Sequence, residues 1–223
     1  MAIKHSVRSH ARLSASSSAR WMACPPSTKL NAEIPDVATD YAREGTCAHE
    51  LAEFKVNRLL GVEAADPTEN LDYFDQEMAD CTDDYAQYIA EQISKYSNPV
   101  VMVEQHLDFS KYVPDGFGTG DCVIVADEVL TVIDYKHGKG VAVSAEHNSQ
   151  MMLYALGALE LFDSLYDISE IKMVIFQRQP AAKEPNTTSC WLSMISPSLQ
   201  RWKIPKLRQF LKKLTLLHHG QVM

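Results

Sequence analysis

Cysteine is scarce in this sequence, and long apolar runs are absent. Five cysteines occur in 223 residues and none stands in a Cys-x-x-Cys spacing, which argues against a disulfide framework and fits a reducing cytoplasm. Nothing after Cys190 could complete a four-thiolate site, so we expect no iron–sulfur cluster. Without eighteen consecutive apolar residues, or an apolar segment near the N-terminus, neither a membrane span nor a secretory signal is expected.

Basic residues are outnumbered by acidic ones in the middle of the chain, although both ends are rich in them. The net charge of -8 divides into +5 in residues 1–32, +6 in residues 201–223 and -19 between them. Acidic residues of a metal site and of solvated helices would account for part of the negative middle. The two basic ends are where contacts with nucleic-acid phosphates would fall, although charged termini without that role would look the same.

Two β-rich runs flank the polar pair Asp127-Glu128 and predict a hairpin over residues 121–136. If the turn is centred on that pair, opposed residues have numbers that sum to 255, and Asp121 then faces Asp134. Lys136 shares the face of Asp134 because side chains alternate along a strand. Asp-Glu is not a favoured hairpin pair, so a bulge or an odd loop length would break this register.

Two opposed carboxylates repel each other, and a divalent cation between them would remove the repulsion. Mg²⁺ suits such a site because it needs few carboxylates and keeps several waters. The ion would polarise a phosphate and acidify a bound water, while Lys136 could orient that water or offset charge on the phosphate. Asp115 is a rival for the upstream acid, but it lies in a turn-rich run before the strand. An ordinary hairpin with exposed acids is the alternative interpretation.

Two helices flank the hairpin. The first is predicted over about 46–60, with Thr46 as N-cap and Gly61 as the stop, and it carries His49 one turn before Glu53. Imidazole is a good ligand for Mn²⁺. The second is predicted over about 145–162, capped by Ser144, with Gln150 and Tyr154 on one face. Either helix alone could carry these residues as ordinary surface or core side chains.

Four ordered motifs together resemble the RecB-like branch of the PD-(D/E)XK nuclease superfamily. They are Gly45-x-x-x-His49, Gly-Thr-Gly-Asp121, Asp134-Tyr-Lys136 and Gln150-x-x-x-Tyr154. The resemblance implies that His49, Asp121 and Asp134 bind Mg²⁺ or Mn²⁺ and that Lys136 acts at the attacking water. It implies that Gln150 and Tyr154 support the site and contact the DNA backbone.

The N-terminal residues from Ser14 to Cys24-Pro25 resemble the opening of a phage and prophage subgroup of this branch. Arg20 in this segment is a candidate DNA contact, and so is Arg178 at the end of a late strand. Glu104, in a probable strand over 100–107, matches an acid often seen upstream of the Gly-x-Asp motif in this branch, although an exposed strand residue would look the same.

The predicted fold is an α/β class with a restriction-endonuclease-like mixed central sheet flanked by helices. One domain is expected over residues 1–223, with a basic N-terminal segment 1–32 and a basic helical segment 197–223. The helix of that last segment covers about 198–213, and Pro205 either bends it or marks its true start. The remaining predicted elements are an acidic helix at about 75–96 and strands near 171–177 and 189–195.

The function expected from these features is metal-dependent hydrolysis of DNA, by an exonuclease serving phage or prophage recombination or DNA-end processing. DNA is the expected partner, and a recombination or single-strand-annealing protein is a further candidate. The expected location is the cytoplasm of a bacterial or phage-infected cell, and the oligomeric state is left open. The alternatives are a catalytically weak DNA-binding module that keeps the fold, and a structural protein whose acidic middle binds a partner.

Overall fold

The computed structural model describes residues 11–32, 34, 37–138, 142–178, 198–203 and 210. Its centre is a five-stranded sheet in the order β1-β2-β3-β4-β5. Neighbouring strands are antiparallel except β3 and β4, which run parallel and are joined through helix α5. The strands are β1 (Val100–Asp108), β2 (Phe117–Ala126), β3 (Val129–Lys136), β4 (Glu170–Gln177) and β5 (Ser198–Lys203), and the helices are α1 (Ser18–Ala23), α2 (Ser27–Ala32), α3 (Asp40–Leu59), α4 (Gln76–Ile93) and α5 (Ser149–Phe162).

The hairpin of β2 and β3 has the predicted register. Its pairs run from Cys122 opposite Ile133 to Ala126 opposite Val129, and each pair sums to 255. The two-residue turn is possible with an unfavoured sequence because Asp127 adopts a φ of 52°, a conformation that aspartate tolerates better than most residues. This register brings the ends of the strands that carry Asp121 and Asp134 together.

Helices cover both faces of the sheet. The side chains of β2 and β3 point alternately to the two faces, and the apolar ones on each face form a separate core layer. Val123 and Val132 belong to the layer beneath α5, whereas Ile124 and Ile133 belong to the layer beneath α3 and α4. The short helix α1 packs against α5. The predicted α/β class, with a mixed central sheet flanked by helices, is confirmed.

Two predicted helix starts were wrong. Helix α3 begins at Asp40, where the side chain of Thr39 accepts a hydrogen bond from Ala42 N, and Thr46 lies inside the helix with its hydroxyl on Ala42 O. Helix α5 is capped by Asn148 rather than Ser144 and begins at Ser149. Thr46 and Ser144 are of residue types that make good N-caps, but Thr39 and Asn148 cap the two helices instead. Gly61 does follow the end of α3, with a φ of 73°.

The predicted helix start at about 198 was also wrong, because residues 198–203 form β5 at the edge of the sheet, whereas the alternative start at Pro205 lies outside the described residues. These six residues show little alternation of apolar and polar side chains. Pairing with β4, a tertiary interaction, stabilises them as a strand. The strand predicted near 189–195 lies outside the described residues. Within the part of the chain that the structure describes, no helix combines the length and apolarity that crossing a membrane needs.

Candidate metal centre

The acidic cluster of this molecule lies where strands β1 and β2 meet helix α3. His49 from α3, Glu104 from β1 and Asp121 from β2 offer ligand atoms that all lie within 4.8 Å of one another. Two of these residues, His49 and Asp121, belong to the predicted metal set. Asp134, the third member of that set, is not part of this group, and its place as a ligand remains a prediction.

The role of Glu104 was the hardest to predict from the sequence, because the same pattern also fits an exposed strand residue. It lies across from Asp121, between the pairs Val103–Cys122 and Gln105–Gly120, and its φ is 48°. Burial, together with the charge of Asp121, raises the pKa of Glu104 to about 7. The pairing of β1 with β2 could have revealed this contact, but the connection over 109–116 is too long for its register to be read from the sequence.

Both oxygens of Asp121 have defined partners. Oδ1 lies 3.4 Å from His49 Nδ1, and Oδ2 accepts a hydrogen bond of 2.6 Å from the backbone N–H of Tyr135. The ring of His49 meets the ring of Tyr135 edge to face, with centroids 5.5 Å apart. Contacts with β3 on one side and with α3 on the other therefore fix the Asp121 carboxylate. The strand register alone does not set its orientation.

Beside this cluster, Asp134, Lys136 and Gln150 form a closed triangle. Asp134 Oδ2 lies 2.9 Å from Lys136 Nζ, Lys136 donates to Gln150 Oε1 at 3.4 Å, and Gln150 Nε2 donates to Asp134 Oδ1 at 3.0 Å. Burial raises the pKa of Asp134, against the opposing effect of the Lys136 charge. Burial would lower the pKa of Lys136, but the charge of Asp134 outweighs it and the pKa is raised, so this amine stays protonated.

Tyr154 stands one turn after Gln150 on α5 and is buried. Its ring packs so closely on β2 that a Cβ atom added to Gly118 would lie 2.7 Å from it. This contact gives a physical reason for the first glycine of the Gly-Thr-Gly-Asp121 motif. Burial raises the pKa of Tyr154, so its hydroxyl is a neutral hydrogen-bonding group.

The donor set fits a divalent cation such as Mg²⁺ or Mn²⁺. One imidazole and two carboxylates converge, and both ions accept carboxylate oxygen while Mn²⁺ also accepts imidazole nitrogen. Asp134 Oδ2 is a further buried oxygen beside these three residues. It is ion-paired with Lys136 but accepts no well-directed hydrogen bond from the described residues. Neighbouring carboxylates repel each other and raise one another's pKa, and a bound cation would remove this repulsion.

The protonation of His49 competes with metal binding. Burial would lower the pKa of this imidazole, but the charge and hydrogen bond of Asp121 outweigh that effect, and the pKa is raised. A protonated imidazole cannot coordinate a cation, so a metal bound here would have to displace a proton.

The two predicted arginine contacts lie elsewhere. The Nη1 group of Arg178 donates to Cys81 Sγ on α4 at 3.4 Å, and this hydrogen bond raises its pKa. A role for Arg178 in packing against α4 is therefore as well supported as the predicted contact with DNA. Arg20 is exposed on α1, next to the start of α5.

The other predicted site residues lie together in one region of the structure. They are His49, Asp121, Asp134, Lys136, Gln150 and Tyr154.

A family described as protein of unknown function (DUF2800) matches residues 10–209, so the chain belongs to that family. Among solved structures, an alkaline exonuclease (LHK-Exo) from Laribacter hongkongensis has 13% sequence identity over 93% of this chain and 88% of its own, with a TM-score of 0.38. The structure of LHK-Exo in complex with dAMP has 15% identity over 94% and 90%, with a TM-score of 0.37. Similarity at this level carries no conclusion about function.

Proposed function

We propose that this member of the DUF2800 family is a divalent-metal-dependent DNA nuclease that hydrolyses phosphodiester bonds. The observation that carries the proposal is the convergence of His49, Glu104 and Asp121, with ligand atoms within 4.8 Å of one another. The triangle of Asp134, Lys136 and Gln150 lies beside it. Anionic ligands for a cation and a fixed ammonium group are together suited to a phosphodiester, which gains negative charge as it is attacked.

His49, Glu104 and Asp121 would hold Mg²⁺ or Mn²⁺, and Asp134 is the proposed further ligand. When bound, such an ion would polarise the phosphate and lower the pKa of a coordinated water. Lys136 is proposed to act as a hydrogen-bond donor, because its raised pKa keeps it charged and unable to accept a proton at neutral pH. Gln150 positions both Asp134 and Lys136 through its two polar atoms.

The finer parts of the proposal depend on the resemblance of the four motifs to RecB-like nucleases. They are exonuclease rather than endonuclease action, a role in phage or prophage recombination, and cooperation with a recombination or single-strand-annealing protein in the cytoplasm. Tyr154 and Arg178 are proposed to contact the DNA backbone, as is Gln150.

The test is a cleavage assay on linear duplex, single-stranded and circular DNA in Mg²⁺, Mn²⁺ or EDTA. Lys136→Ala is compared with wild type, and Lys111→Ala is the matched control because Lys111 is also ion-paired, with Glu160 at 2.8 Å. We expect metal-dependent loss of linear DNA by wild type and Lys111→Ala, and none by Lys136→Ala.

Loss of linear but not circular DNA would support an exonuclease. If wild type and Lys136→Ala cut at the same rate, the proposed centre is wrong. If neither metal supports cleavage but DNA is bound in a salt-sensitive way, the chain is the DNA-binding module that the sequence left as an alternative.

A further inference from the structure

A histidine outside the acidic cluster connects two of the elements that build it. His137 directly follows Lys136, the last residue of β3, and only 7% of its side chain is exposed. It is not a member of the described group whose ligand atoms converge. A side chain this buried needs partners for both ring nitrogens, because a buried polar atom without a hydrogen bond is unfavourable.

Both ring nitrogens of His137 have partners, and the partners lie on different elements. Nδ1 is 3.1 Å from the hydroxyl of Tyr135 on β3, and Nε2 is 3.4 Å from Glu44 Oε1 on α3. An ionised carboxylate can only accept, so it favours a proton on Nε2 and leaves Nδ1 to accept from the hydroxyl. Burial raises the pKa of Tyr135, which keeps its phenol protonated and able to donate. A neutral imidazole therefore suits both neighbours at once.

Tyr135 lies between this histidine and the acidic cluster. Its backbone N–H donates to Asp121 Oδ2 at 2.6 Å, and its ring meets the ring of His49 edge to face. The same ring packs on those of Tyr85 and Phe176, with centroids 5.0 and 6.3 Å apart. Closely packed side chains transmit a displacement because few voids are available to absorb it. The position of the Tyr135 hydroxyl thus bears on two candidate ligands.

Glu44 gives helix α3 a second polar contact with the hairpin. It lies five residues before His49, which is about 7.5 Å along the helix axis. His49 contacts Asp121 at 3.4 Å, and Glu44 contacts His137 at the same distance. Apolar packing holds α3 on the sheet but is non-directional. The two polar contacts together set where α3 lies along the strands.

We infer that His137 is a positioning residue of the metal centre, which holds Tyr135 and Glu44 so that His49 stays opposite Asp121. In this role it acts through its two neighbours and binds neither the cation nor the phosphate. Residues behind metal ligands orient those ligands, and their loss typically lowers metal affinity by about 10–100-fold. The role rests on the proposed function in one respect, because the acidic cluster is taken to bind metal.

The first measurement needs neither metal nor DNA. Amide hydrogen exchange of the full chain is followed by NMR in EDTA, in wild type and in His137→Ala. We expect the Tyr135 amide, which donates to Asp121, to exchange about tenfold faster in the variant. The amide of Val132, in the middle of β3, should keep its wild-type rate. A histidine that only stabilises the fold would accelerate both amides by the same factor.

The second measurement is the affinity for Mn²⁺, obtained by calorimetric titration. His137→Ala should bind Mn²⁺ about tenfold more weakly than wild type. His137→Gln offers one acceptor to Tyr135 and one donor to Glu44, so it should recover part of the loss. Tyr135→Phe removes only the hydroxyl and should reproduce the loss. His106→Ala is the matched control, because His106 is an exposed histidine that also contacts an aromatic ring, that of Phe117 at 5.4 Å.

Weaker Mn²⁺ binding by His137→Ala, together with selective acceleration of the Tyr135 amide, would support the positioning role. Wild-type affinity for Mn²⁺ in this variant would overturn it, even if the protein cleaves DNA. Equal acceleration of both amides would also overturn it and leave His137 with a stabilising role alone. If wild type neither binds Mn²⁺ nor cuts DNA, the nuclease proposal fails, and the exchange of the two amides still decides whether His137 positions Tyr135 against Asp121.

Discussion

Glu104 on β1 faces Asp121 on β2, and its backbone has a φ of 48° in the middle of an otherwise regular strand. A left-handed conformation in a non-glycine residue is unfavourable by about 1–2 kcal/mol. The flanking pairs Val103–Cys122 and Gln105–Gly120 keep the register on both sides, so the distortion is confined to the residue whose carboxylate joins the cluster. The strained residue is thus also one of the three candidate ligands.

Replacing Glu104 by glutamine should weaken metal binding. The variant keeps the shape of the side chain but removes one of the two carboxylates that converge with His49. We expect the affinity for Mn²⁺ to fall by at least about tenfold, since even outer partners of metal ligands contribute about 10–100-fold. Calorimetric titration measures this directly. Glu91→Gln, which alters an exposed carboxylate on α4, is the control, and an unchanged affinity in Glu104→Gln would remove Glu104 from the ligand set.

In the absence of metal, Glu104 should make stability depend on pH. Burial raises its pKa from 4.5 to about 7 in the folded protein, so the folded state holds this proton more tightly than the unfolded state. The free energy of unfolding should therefore fall as the pH rises from about 4.5 to about 7, by about 1–2 kcal/mol after allowing for partial solvent exposure. Urea titrations of wild type and Glu104→Gln across this range measure the effect. The difference between the two proteins should grow with pH in favour of the variant, and parallel curves would contradict the assignment.

The sequence predicted the hairpin and much of the site because local patterns fix them. The β-rich runs around Asp127-Glu128 determined the register, and the spacing of Gln150 and Tyr154 placed both on one helix face. The orientation of Asp121 could not be predicted, since it depends on the backbone N–H of Tyr135 and on His49 from a distant helix. The contribution of Glu104 depends on a pairing across a long connection, and β5 exists only through its pairing with β4.

Gln150 should be necessary for the geometry of the site without being necessary for the fold. Its amide bridges Asp134 and Lys136, at 3.0 and 3.4 Å. In Gln150→Leu the two residues keep their ion pair but lose the group that orients both. We expect cleavage to slow by about 100-fold, the size of effect that a misplacement of about 1 Å produces.

The kinetic comparison should show the loss in kcat rather than in KM if Gln150 acts mainly by positioning. Gln87→Leu, on the exposed part of α4, provides the control for a lost amide. A Gln150→Leu protein with unaltered kcat and raised KM would assign Gln150 to DNA binding instead.

Two glycines in helices should respond in opposite ways to substitution by alanine. A methyl group on Gly157 of α5 would lie 2.9 Å from Leu107 Cβ and 3.2 Å from its carbonyl carbon, so α5 would have to move away from β1. We expect Gly157→Ala to lower the free energy of unfolding by about 1–3 kcal/mol, as overpacked substitutions do. Chemical denaturation measures this, and an unchanged midpoint would mean that α5 can shift at no cost.

Gly45 has no such neighbour, because nothing lies within 4 Å of the position its Cβ would take. It stands inside α3, one turn before His49 and on the same face, where alanine should stabilise the helix by about 0.5–1 kcal/mol. Packing therefore does not explain a glycine here, whereas a nearby DNA strand would. We expect Gly45→Ala to be more stable than wild type and to have a higher KM for DNA. A gain in stability with unchanged KM would show that the open space above Gly45 is not used by the substrate.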